Sequence, residues 1–123
     1  MIFTRLCLLC LMILTVMPVF AATAAVREMA GILVKLEHFP GAAEKSRLKE
    51  LAASKDSSEQ EKVVANAMVN LNHTAADADK SRLKLVKDDA AASAEVRELA
   101  GIILNLNHMP SAADKSKLQQ MMK

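Results

Sequence analysis

The chain has no tryptophan and no tyrosine, and beyond residue 21 its phenylalanines reduce to one, Phe39. A core organised on aromatic packing is therefore excluded. The apolar mass comes instead from Leu, Val, Ile, Met and abundant Ala, most of them good helix formers. Glycine and proline number three each, so no Gly-rich phosphate loop is present and few turns are marked by composition alone. Nothing alternates with period two over a useful length. The sequence predicts an all-α fold.

Cysteine is just as scarce. Cys7 and Cys10 are the only two, and their C-x-x-C spacing lies inside an apolar block running from Leu6 to Val16. Arg5 is the only charge ahead of that block, Pro18 follows it, and Val19-x-Ala21 and Ala22-x-Ala24 are small-residue cleavage patterns. The block is shorter than the ~20 residues a spanning helix needs. Residues 1–21 are read as a secretory signal peptide, with cleavage after Ala21 or Ala24. Membrane association is expected only through this segment, if it stays uncleaved. The exported chain, periplasmic or secreted, is then one domain, residues 22–123, without cysteine or disulfide.

Charge of a single sign is also missing: 16 Lys and Arg face 14 Asp and Glu. Such balance supplies no argument for a nucleic-acid partner. Lys80, Arg82, Lys84 and Lys87 make a locally basic stretch, but Asp77, Asp79, Asp88 and Asp89 dilute it to an ordinary charged surface.

What the chain does have is a stretch written three times. His38-Phe39-Pro40-Gly41-Ala42-Ala43-Glu44-Lys45-Ser46-Arg47-Leu48 returns from His73 to Leu83 and again from His108 to Leu118, each time 35 residues on. Ahead of each copy runs a helical stripe: Val26, Met29, Ala30, Leu33 and Leu36; then Val64, Ala65, Met68 and Leu71; then Val96, Leu99, Ala100, Ile103 and Leu106. Thr23, Ser58 and Ser93 keep the same spacing and suit the N-cap of each first helix, with Ser58-x-x-Glu61 adding a capping box.

Each first helix should end near its histidine. Pro40 and Pro110 cannot continue a helix, and Gly41 and Ser111 suit the next cap; the middle copy offers Thr74 or Asp77 instead. The second helices should cover about 42–54, 78–87 and 112–122, with Glu44, Asp79 and Asp114 in their first turns. Their apolar content is thin, which predicts a peripheral position. Between the second and third copies the composition permits a helix continuous from about 79 to 108, while the recurrence of Ser93 argues for a break.

The expected architecture is thus three tandem helix-turn-helix units of 35 residues, at about 23–57, 58–92 and 93–123, stacked as a short solenoid or a closed helical bundle. Their length resembles that of the tetratricopeptide class, but the aromatic and glycine signature of that class is missing.

The only three histidines of the chain, His38, His73 and His108, recur once per unit. The preferred reading is that each closes a helix end, bonding the last free carbonyls. The alternative is a ligand site for zinc, copper or haem. Zinc–nitrogen bonds of about 2.0 to 2.1 Å require rings that converge on one point. Adjacent packed helices lie ~8 to 10 Å apart, so an open stack would line the rings up without convergence and a closed bundle would bring two together. Met109, Met121 and Met122 permit a soft copper(I) site, although methionine is more often gap-filling core.

Catalysis has little to stand on. Ser46, Ser81 and Ser116 lack a neighbouring His-Asp partner, and Lys45, Lys80 and Lys115 read as solvated helix-surface charges. The sequence therefore predicts a non-enzymatic exported module that binds a protein partner, with a metal- or haem-binding protein as the alternative.

Overall fold

The computed structural model describes residues 22–123, and the segment read as a signal peptide lies outside them. Six helices follow one another: α1 (Ala24–Val34), α2 (Ala42–Ala53), α3 (Glu59–Val69), α4 (Asp77–Lys87), α5 (Ala94–Leu104) and α6 (Ala112–Met121). No strand occurs among the described residues. The chain is all-α.

The starts of the odd-numbered helices follow from their caps. The hydroxyls of Thr23, Ser58 and Ser93 accept hydrogen bonds from the backbone N–H of Val26, Glu61 and Val96 respectively, each satisfying a first-turn donor that has no helical partner. Ser58 also donates its N–H to Glu61 Oε1 at 2.9 Å, completing the capping box. Ser111 caps α6 in the same way, while Gly41 donates its N–H to Glu44 Oε1 at 3.2 Å. In the middle copy neither Thr74 nor Asp77 caps α4. The N-cap there is Ala76, with no side-chain bond, and Asp77 is the first helical residue, where its charge meets the helix dipole directly.

A break separates α4 from α5. Asp89 turns the chain by accepting from Ala91 N–H through Oδ1 at 2.9 Å, and the Gln60 side-chain amide Nε2 donates to its Oδ2 at 2.9 Å. A short aspartate bonding its own backbone two residues on does the work that glycine or proline does elsewhere.

The apolar stripes all face inward. Met29, Ala30, Leu33, Val64, Met68, Leu99, Ala100 and Ile103 have no exposed surface. Each large side chain so buried is worth about 1.5 to 3 kcal/mol relative to exposure. The outer helices contribute only Leu48 and Leu51, Leu83 and Val86, and Leu118 and Met121. The helices close on themselves: α2 packs on α3, α4 on α5 and α6 back on α1, while α1, α3 and α5 touch one another inside. Of the two expected arrangements, this is the closed one. Thr23 Oγ1, before α1, donates to Glu61 Oε2 in the first turn of α3 at 2.6 Å. The histidine-bearing loops meet at the other end, so the inner helices run in the same direction.

Candidate metal centre

Each inner helix stops three residues short of its histidine, at C-caps Lys35, Asn70 and Asn105. The chain then makes a tight turn in which Leu36, Leu71 and Leu106 donate their N–H to Leu33, Met68 and Ile103 and bury their side chains. Pro40, Ala75 and Pro110, two residues after each histidine, are buried as well. Every histidine is therefore held between two buried anchors, with its own side chain exposed.

The three backbones are tied in a ring. His38 N–H donates to the His108 carbonyl at 2.8 Å, His108 N–H to His73 at 2.8 Å, and His73 N–H to His38 at 2.7 Å. To close it, the three histidines adopt φ of 79°, 64° and 67°; among the described residues they are the only non-glycine positions with positive φ. That left-handed conformation costs an L-residue roughly 1 to 2 kcal/mol, and glycine is the ordinary occupant. Histidine stands there three times.

The side chains converge too. The Nδ1 atoms of His38 and His73 are 3.2 Å apart, those of His38 and His108 3.3 Å, and those of His73 and His108 2.8 Å. The rings meet edge to face, with centroids 4.8 to 5.3 Å apart. These three residues form a group that could hold a metal ion, their candidate ligand atoms all lying within 4.8 Å of one another. The expectation that packed helices keep the rings apart, or at best bring two together, is corrected: all three meet. Helix spacing does not constrain them because they sit beyond the helices, on loops that turn inward. The Nδ1 atoms face one another, and among the described residues no ring bonds a last helical carbonyl, the contact on which the helix-end reading rested.

Electrostatics favours a cation at this point. Three neutral imidazoles carry three ring protons, and tautomers with the proton on Nε2 leave the Nδ1 lone pairs facing one another. A single proton between two rings relieves one or two of the three close contacts, whereas a cation at the centre relieves all of them. The partial negative charge at the C-terminal ends of α1, α3 and α5 has the same sign preference.

The fit to a metal is close. Three nitrogens at corners of a tetrahedron around zinc would lie about 3.3 to 3.4 Å apart, given bonds of 2.0 to 2.1 Å. The observed spacings of 3.3, 3.2 and 2.8 Å reach this range at one edge, nearly reach it at the second and fall about half an ångström short at the third, so the rings of His73 and His108 must part slightly around an ion. Imidazole donors suit zinc, copper, nickel and iron. A haem held between two of these histidines does not fit, because a porphyrin plane must lie between its axial ligands and the facing Nδ1 atoms stand too close together to admit one.

The surroundings are sparse. After each histidine comes an exposed residue, Phe39, Thr74 or Met109. Lys45 Nζ stands 5.8 Å from the centre of the Phe39 ring. Among the described residues, surface clefts such as that of about 500 Å³ beside Gly31, Ile32 and Arg47 open along the helix flanks, and the histidines do not line them. The recurring Ser46, Ser81 and Ser116 are exposed on the outer helices, away from any histidine contact in the hydrogen-bond network.

Fold and site together define a six-helix bundle capped by a preorganised three-imidazole cluster. No family model matches the chain, no curated protein matches it, and no solved structure matches it.

Proposed function

We propose that this protein binds one transition-metal ion of the zinc or copper class through Nδ1 of His38, His73 and His108, without catalysing a reaction. It would do so as an exported domain made from a triplicated 35-residue unit, after removal of residues 1–21. The observation that carries the reading is the convergence of three ring nitrogens within 2.8 to 3.3 Å. Residues so far apart in sequence are brought there by a backbone ring that histidine enters at a conformational cost. The interaction-module reading, preferred on the sequence, becomes the second one; the exposed Phe39 and Leu85 are what favours it.

Native mass spectrometry of protein purified without a histidine tag tests the metal reading. One zinc or copper ion per chain is expected, lost when His73 and His108 are both changed to alanine. At a free-ion concentration a hundred times Kd, unfolding should become harder by about 2.7 kcal/mol. An apo mass, with stability unchanged by either ion, would sink it. Two single variants separate the ring from the backbone. His73→Gly and His73→Ala should weaken binding alike, while His73→Gly leaves the apo fold about 1 kcal/mol more stable because glycine suits the left-handed position.

A further inference from the structure

Three imidazoles fill three positions of the ion proposed above and leave its outer face open. Structural zinc sites close with four protein ligands, whereas three-ligand sites keep a position for an incoming molecule. The cluster here contains no carboxylate, and residues 22–123 contain no cysteine.

The frame of the site is made of protein–protein contacts that do not pass through an ion. The backbone ring is closed by bonds of 2.7 to 2.8 Å, and Leu36, Leu71 and Leu106 are buried two residues before each histidine. Domains that fold only on binding metal have no such frame. Loss of the ion therefore leaves the cap in place. The histidines also stand exposed rather than at the bottom of a cleft, so a competing ligand can reach the ion before any Nδ1 bond is broken.

We infer that the cap is a transfer site, carrying an exchangeable ion and passing it to an acceptor that supplies competing nitrogen or sulfur donors. The acceptor's lone pair bonds the ion at its open face, giving a ternary complex. The three metal–Nδ1 bonds then break in turn as further acceptor donors bind. The ion keeps its oxidation state, and any proton displaced from the acceptor goes to solvent or to a freed imidazole.

This inference rests on the metal reading, and one experiment separates their failures. The full chain is loaded with one equivalent of Zn²⁺ and mixed with terpyridine at increasing concentration, following zinc–terpyridine absorbance and helical circular dichroism together. Attack at an open position predicts that a tenfold rise in terpyridine raises the transfer rate about tenfold, with the helical signal constant throughout. A rate independent of terpyridine would mean that zinc must first dissociate unaided, and helix loss in step with zinc loss would mean that the ion holds the fold together. Either result overturns the transfer role and leaves metal binding intact. Failure to load zinc, and likewise copper, overturns both.

Discussion

The two ends of the inner helices are built from corresponding positions, yet they are filled on different terms. At the C-terminal end histidine occupies all three positions, each in the same left-handed conformation and each bonded to the next. At the N-terminal end the corresponding residues are Val26, Glu61 and Val96. Glu61 is buried, and it is kept satisfied by the Ser58 N–H and by the Thr23 hydroxyl. One end holds a threefold chemical pattern even at a backbone cost. The other accepts a carboxylate in a valine position because local hydrogen bonds suffice to hold it. The contrast separates packing, which tolerates local repair, from convergence, which needs the same ring at every corner.

The largest expected effect comes from removing what supports the histidine end from below. Leu71→Ala should cost about 2 to 5 kcal/mol of stability, as for a buried leucine that leaves a cavity. Metal affinity should fall with it, because the His73 loop loses an anchor. Chemical denaturation and metal titration of the same variant check both parts, and a full stability loss with unchanged affinity would show that the backbone ring alone fixes the rings.

At the opposite end the effects should be smaller and should leave metal binding untouched. Thr23→Ala removes the α1 cap and one partner of a buried carboxylate, an expected loss of about 1 to 3 kcal/mol. In the Glu61→Val background, which restores the apolar residue of the other two copies, the same substitution should cost only about 1 kcal/mol, the value of the cap. A double-mutant cycle by denaturant unfolding measures the difference, and additive losses would dissolve the proposed coupling.

The smallest effect is at Asp89, in the turn that ends the middle unit. Hydrogen bonds from the Gln60 amide and then from the Ala91 backbone hold its carboxyl below the ordinary carboxylate range. A depressed folded-state value contributes stability that is present above the unfolded-state value and fades as pH falls through the folded one. Asp89→Asn should therefore flatten the acid side of the stability profile slightly and leave neutral-pH metal binding unchanged, as read from thermal unfolding against pH.

Much of the bundle was legible along the chain. The stripes through Met29, Met68 and Leu99 were apolar at helical spacing and are buried, and Thr23, Ser58 and Ser93 cap the helices they precede. These are local features, decided by residues within a turn or two of one another. The α4–α5 break was ambiguous, because the residue that turns the chain there is an aspartate rather than a glycine or proline, and one of the two bonds that hold it comes from Gln60, far away in sequence. At the candidate site, the sequence singled out the three histidines but not their meeting. A left-handed histidine has no sequence signature, glycine or asparagine being the usual occupants.

The division has a physical reason. The order of residues determined which stretches are helical, which face the inner helices bury, and that histidine returns at each turn, because helix periodicity and capping act over a few residues. Only the tertiary structure decided that α6 closes on α1, and with that closure came the ring of His38, His73 and His108. An open stack of the same helices would satisfy every local rule and leave three separate imidazoles. Convergence is a property of the closed bundle, in which the three histidine loops share one small space.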